Sequence, residues 1–587
     1  MLQTLLILVV FAMFFPPTSQ QCVKVNVSRC ANVDFIPGSD LAGEGFDITK
    51  MEHKGTFVID MSTWIKRDRS CTLCRNPYMR GKRQKLPVAV VNWRSRQKCR
   101  MKLSSYSYQS SEALVSASTS SIENDWKVGL DILIPKIQGS VMMAGTESKL
   151  AKYSMQKTKK DKYSFTSHSV SCGYYRYGVK KNPPLHPELR KEFRKLPNSY
   201  NRKTKHIYFN LIRKFGTHYI RQVTLGGEVR SVTSIKECQA SLQGLSVDEV
   251  KMCLDMETTA SKGPAANIQN KSYHCRQARQ RRLNRRSFAS SFRDRESTVI
   301  GGRTENVDLL FSSKTDPNAY KWWISSLPAQ PDVISYKLEP LHKLQRKKKT
   351  IRENLRKAIK DYILQRALMK YCSSPCKIGV KTNSKEPCSC SCHNNPGVAL
   401  NCCPTRRGYA QITVTVIRAT GLYGDYWTQT DGYVKLFRNG NAFFGKTPVI
   451  MNRNSPTWNW YFSFENQNLN QFKSVKLEVW DQDSGWDDDL LGSCTVGLRS
   501  GVIRNACALN HGVLYYKVQV KCLPALSGSM CREYMPSPMD AQLENEYVSR
   551  NARPIPRSML LEMGVLLDER IPRFNQSNIH KAVGFEL

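Results

Sequence analysis

Seven of the chain's twenty cysteines crowd between Cys372 and Cys403, with few apolar residues among them. A stretch so poor in core-forming side chains holds its shape only through covalent cross-links. It therefore demands an oxidising compartment and separates whatever folds before it from whatever folds after. The cysteine total is even, as complete pairing into ten disulfides requires. Export also accounts for the first residues. The run from Thr4 to Phe15 is apolar and is closed by Pro16, Pro17, Thr18 and Ser19. It falls short of the ~20 residues of a spanning helix and reads as a signal peptide over 1–20, although no charged residue precedes it. Sequons at Asn26, Asn270 and Asn575 are permissive glycosylation sites on an exported chain.

At 587 residues the chain exceeds what one core organises, since cores stop growing near ~250–300 residues. Its formal net charge of +41 attracts anionic lipid or acidic polysaccharide, and export argues against nucleic acid as the partner. Beyond the leader no apolar run reaches ~18 residues, so any entry into a bilayer must use amphipathic strands.

Periodicity places the main elements. Val128, Leu130, Ile132 and Ile134 alternate, which predicts a half-buried strand between Lys127 and Ile134. Tyr208, Leu211, Ile212 and Phe215 share one helical face, and Gly216 follows where a helix ends. A strand from Tyr219 to Leu225 is expected to stop at Gly226-Gly227, a pair suited to a bend or a close backbone approach. A polar stretch from Glu237 ends in Arg276, Arg279, Arg281, Arg282, Arg285 and Arg286 without an acid among them. Ile351, Leu355, Ile359, Ile363 and Ala367 predict another helix. Past Gly408, Ile412, Val414 and Val416 alternate, as do Val475, Leu477 and Val479, which predicts a β-sandwich. The prolines at 536, 538, 554 and 556 suggest a loosely ordered tail.

Tyr208, then six residues, then Phe215-Gly216-Thr217-His218-Tyr219, followed by Gly226-Gly227, resembles the signature of the membrane-attack-complex/perforin (MACPF) family. Trp322 to Pro328, ahead of Leu338-Glu339-Pro340-Leu341, resembles the end of that domain. The cysteine-dense block resembles an epidermal-growth-factor-like (EGF-like) module, and the terminal sandwich a C2 domain. The resemblance implies a multidomain α+β architecture. A bent, cholesterol-dependent-cytolysin-like β-sheet with flanking helical clusters would span 21–371, the EGF-like module 372–408, the C2 sandwich 409–522 and the tail 523–587. It also implies that segments at about 135–163 and 237–292 unfold into hairpins of a membrane barrel. Met142, Leu150, Tyr153 and Met155 would then meet lipid, and the basic run would face the lumen. Read from the residues alone, both segments are surface helices.

Function follows from the same resemblance: a secreted, cytolytic homo-oligomer that is stored in cytolytic granules, docks on phospholipid and passes granule serine proteases into target cells. A non-lytic membrane-binding or scaffold protein is the alternative. An enzyme is not expected. No Gly-x-Ser-x-Gly or His-Glu-x-x-His motif occurs, and a lone histidine such as His218 is more often structural. Gly440 with Gly445-Lys446-Thr447 fits a phosphate-loop pattern, but Pro448 and the surrounding strands deny it the helix it must open.

The sandwich carries the clearest chemistry. Asp425 and Asp431 share one loop, and Asp481, Asp483 and Asp489 a second. Calcium takes ~6–8 oxygen ligands, which carboxylates from two neighbouring loops supply. In C2 domains these positions bind calcium, with lipid headgroups completing the shell; Asp487 and Asp488 lie close enough to compete for assignment. Solvated turn aspartates are the bland reading. Tyr423, Tyr426, Trp427 and Trp486 stand in the same loops and either enter the membrane interface or pack within the sandwich.

The resemblance further implies the pairs Cys372–Cys388, Cys376–Cys390 and Cys392–Cys402 in the EGF-like module, with Cys238–Cys403 joining it to the first domain. Cys22–Cys74, Cys30–Cys71, Cys99–Cys172, Cys253–Cys275, Cys494–Cys507 and Cys522–Cys531 complete the set. A zinc site at Cys390, Cys392 and His393 competes, and an oxidising compartment disfavours it.

Overall fold

The computed structural model describes residues 22–119, 122, 124–134, 140–258, 265–304, 308–311, 318–370, 380–381, 390–392, 397–483, 487–536 and 552–567. The leader, Cys372, Cys376, Cys388, Trp486 and Asn575 lie outside them, as do the side chains of Asn270 and Cys390.

A seven-stranded sheet forms the first domain. Its strands are β1 (Glu44–Asp47), β2 (Glu52–Phe57), β3 (Val90–Tyr108), β4 (Tyr163–Val179), β5 (His218–Lys236), β6 (Arg295–Ile300) and β7 (Asp332–Pro340). The order is β2-β1-β5-β4-β3, and both β6 and β7 pair with β5. Strand β5 does not stop at the glycine pair as the sequence suggests. It runs straight through, and the pair marks where its partner changes: β7 pairs as far as Gly226, and β6 takes over at Glu228. Close approach is what the glycines provide. A β-carbon on Gly226 would lie 1.9 Å from the Cys172 carbonyl oxygen, and one on Gly227 would lie 2.7 Å from the Trp323 ring.

Helices fill the connections. They are α1 (Ser111–Ser118), α2 (Lys149–Lys160), α3 (Pro187–Lys195), α4 (Lys205–Phe215), α5 (Glu237–Leu242), α6 (Val247–Glu257), α7 (Ala265–Arg282), α8 (Phe288–Ser291), α9 (Ala319–Ser326) and α10 (Lys349–Leu364). In α4, Tyr208, Leu211, Ile212 and Phe215 are all buried, and Gly216 ends the helix at φ +84°, where a β-carbon would fall 2.5 Å from the Phe46 carbonyl oxygen. Helix α10 buries Ile351, Leu355, Ile359 and Ile363 in the same core.

The strand expected between Lys127 and Ile134 is absent. The chain there makes a 3₁₀ turn at Asn124–Lys127 followed by loop, because Gly129 (φ +87°) and Asp131 (φ +51°) leave the extended region. Only Leu130 of the alternating set is buried, while Val128 and Ile134 face solvent.

The C-terminal sandwich has its own core. It stacks β11 (Thr457–Asn468), β8 (Tyr409–Thr420), β15 (Val513–Cys522) and β14 (Gly501–Ala508) on β10 (Ala442–Lys446), β9 (Gly432–Arg438), β12 (Ser474–Asp481) and β13 (Asp489–Gly497). Gly440 and Gly445-Lys446 belong to the β9–β10 hairpin, which opens no helix.

Eight disulfides join described cysteines: Cys22–Cys74, Cys30–Cys71, Cys99–Cys172, Cys238–Cys403, Cys253–Cys275, Cys392–Cys402, Cys494–Cys507 and Cys522–Cys531. The tail departs from the loose segment expected. Residues 552–567 lie on the first domain, where Arg553–Pro554 pairs with Leu368–Lys370, which in turn pairs with Ser140–Met142. Ile555, Leu560, Val565 and Leu567 enter the main core. The expectation rested on proline content. Apolar residues between the prolines, and Pro556 capping a short helix at Arg557–Glu562, override it.

Candidate metal centre and membrane-facing elements

Two loops at one end of the sandwich bring acids together. Strand β12 ends at Asp481, which stands opposite Asp489 at the start of β13. The loop before β9 carries Asp425 and Asp431. One carboxylate oxygen from each of Asp425, Asp481 and Asp483 lies within 4.8 Å of the others. Asp481 is buried. Its Oδ1 accepts the Asp431 amide at 2.6 Å, and among the described residues its Oδ2 has no hydrogen-bond partner. Burial, with Asp425, Asp483 and Asp431 nearby, pushes the Asp481 carboxyl up to about 6. Burial and the Asp425, Asp489 and Asp488 charges also raise Asp483. An orphaned, buried carboxylate oxygen facing two further carboxylates is what an oxygen-seeking divalent cation satisfies, and the donor set is all oxygen, as calcium prefers.

The other sequence-selected acids surround this cluster. The Asp431 carboxylate accepts the Asn452 amide, and Asp425 Oδ2 accepts the Thr428 hydroxyl at 2.7 Å. Asp489 is exposed and sits outside the group of three, and Asp487 is exposed as well. Asp488 is engaged elsewhere, by the Tyr433 hydroxyl. The aromatic residues stand clear of the sandwich: Tyr426 is 81% and Trp427 90% exposed, and Tyr423 is half exposed.

Sequence reading missed the supports of these loops. A β-carbon on Gly424 would fall 1.6 Å from Asp481 Oδ2, so only glycine lets the first loop lie over the second. Asn454 Oδ1 accepts both the amide and the hydroxyl of Thr430, and Asn452 Oδ1 accepts the Gln429 amide. The pair Asn452-x-Asn454, with asparagine's readiness to hold neighbouring backbone, was the available signal.

In the first domain, both segments that the family resemblance singles out lie in connections that leave the same end of the sheet. Strand β3 ends at Tyr108 opposite Phe165, β4 begins at Tyr163 opposite Lys236 at the end of β5, and β6 begins at Arg295 opposite Thr233. The first connection is wider than the 135–163 read from sequence. It starts after Tyr108 and includes α1, whose Ser111 hydroxyl meets Thr158 on α2 at 2.9 Å. Leu150 and Tyr153 pack toward Leu114, Phe165 and Val232 in this state. The second connection, α5 to α8, has its own small core of Leu245, Val250, Leu254, Leu283 and Phe288. Met142 and Met155 are half-buried. Among the described residues no helix is long and apolar enough to cross a membrane.

The signature residues are structural here. His218 is fully buried. Its Nε2 donates to the Trp126 carbonyl at 2.9 Å, which leaves Nδ1 to accept the Thr217 hydroxyl at 2.8 Å. Thr217 Oγ1 also accepts the Ile48 amide, so the pair ties β1 and the turn at 124–127 to β5. Tyr219 donates to Glu339 on β7 at 2.5 Å, and Tyr208 to the Pro197 carbonyl at 2.6 Å. Asn26 is exposed, and its side chain accepts the Ser28 amide.

Residues 35–372 match the family model described as MAC/Perforin domain, 371–405 the Perforin-1-like EGF domain and 410–511 the C2 domain. The chain is 38% identical to Perforin-1 of Mus musculus over 536 residues, which covers 91% of this chain and 96% of the relative. It is 39% identical to Perforin-1 of Homo sapiens over 505 residues, covering 86% and 91%. Complement component C8 beta chain of Paralichthys olivaceus is 27% identical over 251 residues, 40% of this chain and 38% of that one.

Proposed function

Because this chain belongs to the perforin family, with MAC/Perforin, EGF and C2 domains in series, we propose that its pore-forming, cytolytic activity is switched on by calcium at the sandwich tip. The observation that carries the pore-forming reading is the common exit of both helical connections from one end of the sheet. Each connection joins neighbouring antiparallel strands and is long enough for two spanning strands of ~9–11 residues. Straightened, the first prolongs β3 and β4 and the second prolongs β5 and β6. The four extended strands of one subunit then close into a barrel only with other copies, because a spanning sheet tolerates no open edge.

Asp425, Asp481 and Asp483 would hold the calcium ion, with Asp431 and Asp489 beside them. Bound calcium would neutralise the acids and offer open coordination to phospholipid phosphate. Tyr426 and Trp427, already exposed, would then enter the interface. The activity is read as non-catalytic; His218, the signature histidine, has both ring nitrogens held in structural bonds. Passage of granule serine proteases and storage in an acidic granule are the furthest steps of the proposal, and they rest on the likeness to Perforin-1.

The test is release of dyes and protein-sized dextrans from phospholipid vesicles, with calcium or chelator. Release of both sizes only with calcium supports the reading. Calcium-dependent binding without release favours a non-lytic membrane-binding protein.

A further inference from the structure

The basic run that closes α7 and continues into the turn beyond it has no place in calcium docking, and the fold gives it one. The turn following α7 folds back against the end of β5 and against α5, leaving a polar cleft of about 560 Å³. Lys236, Arg282, Arg286 and Arg293 line it, with Asp294 as its one acid. That acid is already committed: its carboxylate binds Lys157 Nζ at 2.5 Å and accepts the Tyr153 hydroxyl at 3.1 Å. Arg282 is partly satisfied by Glu249 at 3.4 Å. Among the described residues Arg286 and Arg293 form no ion pair, and both are exposed. The turn presenting Arg286 holds two successive non-glycine residues at positive φ, Asn284 (+47°) and Arg285 (+65°). Such backbone is disfavoured for residues other than glycine and persists where the surrounding structure holds it. Ser290 and Ser291 also line the cleft, with the Ser290 hydroxyl donating to the Ser287 carbonyl at 3.0 Å.

We propose that this cleft binds a small anion carrying several closely spaced phosphate or sulfate esters on one ring. Guanidinium groups recognise such oxygens through paired hydrogen bonds, and a recess of this size admits a polyol ring while excluding a flat bilayer. A bound anion would join the two ends of the second connection, Lys236 on β5 and the Arg286–Arg293 stretch before β6.

The experiment is calorimetric titration of the full chain in chelator at about 150 mM salt, where long-range attraction is screened. The probes are inositol hexakisphosphate and sucrose octasulfate. One-to-one binding of either supports the site, provided it falls at least tenfold in Arg286→Gln/Arg293→Gln and separately in Lys236→Gln. It must also survive in Lys347→Gln/Lys348→Gln, a control in the exposed lysines just before α10. The tighter probe identifies the ester. Hydrogen exchange must show protection centred on 236–243 and 282–294. No binding, equal loss in the control pair, or protection elsewhere overturns the proposal.

Discussion

The Asp431 amide donates to Asp481 Oδ1 at 2.6 Å while Asp481 Oδ2, buried on the same carboxylate, has no hydrogen-bond partner among the described residues. One oxygen therefore braces the two loops, and the other is the one the proposed cation would take. Replacing Asp481 by Asn keeps an acceptor for the amide but removes the charge. Calcium-dependent vesicle binding should weaken at least tenfold, because a charged ligand in a partly desolvated shell is lost. Calcium-free thermal stability should hold or rise, since burial and three neighbouring acids oppose the ionised form. Vesicle cosedimentation and calorimetry read the two effects.

The same group sets a pH limit. With the Asp481 carboxyl pushed up to about 6, protons compete with calcium below that value. Each pH unit lower should weaken calcium binding about tenfold per displaced proton. The calcium-free sandwich responds with the opposite sign. A raised folded-state pKa favours folding at low pH, and that contribution disappears as pH rises through about 6. Calcium titration at about pH 5 and about pH 7.4 checks the first statement. Equal affinity at both would refute it.

His218 works the other way. Burial, more than the Lys343 charge, lowers it to about 4, and His342 beside it is likewise lowered to about 4. Against an unfolded value near ~6.5, a depressed histidine contributes stability that is complete above ~6.5 and lost as pH falls toward 4. His218 should account for about 3 kcal/mol of that loss. The unfolding midpoint of the first domain should therefore drop between about pH 6.5 and about pH 4, and His218→Gln should flatten the drop.

Gly226→Ala tests the crossover in β5. Its β-carbon would meet the Cys172 carbonyl oxygen, a backbone atom that cannot rotate away. The strands must separate, at a cost above ~3 kcal/mol if the sheet gives as poorly as overpacked cores do. Secreted yield should collapse, whereas Gly497→Ala, with open space around it, should leave yield unchanged.

Much of this was readable from the chain, for identifiable reasons. The face of α4 and the alternation of β8 and β12 follow local periodicity, which burial enforces residue by residue. Asp425, Asp481 and Asp483 were legible from their spacing in two loops and their likeness to C2 domains, and the fold places a carboxylate oxygen of each within 4.8 Å of the others. The continuation of β5 through Gly226-Gly227 was not, because the reason for the glycines lies in β4 and α9, remote in sequence. Nor was Gly424, whose constraint is a carboxylate more than fifty residues later. Val128 to Ile134 misled because alternation ignores φ, and Gly129 and Asp131 take values no strand uses.

The tail shows the same limit and gives the last prediction. Leu560, between prolines, is buried against the first domain. Around it the Leu566 amide donates to Asp361 on α10 at 3.0 Å, Lys360 and Gln365 hold the carbonyls of Met563 and Leu566, and the Ala552 amide donates to Glu112 on α1. A loose tail would make none of these bonds. Leu560→Ala should therefore cost about 2–4 kcal/mol, as for a buried leucine, and lower the unfolding midpoint of the first domain while leaving the sandwich transition in place. A chain ending before Ala552 should show the same domain-selective loss, and Asp361, whose carboxyl burial raises, would lose the Leu566 amide that helps keep it ionised. If both variants melt like the parent, residues 552–567 do not brace the first domain.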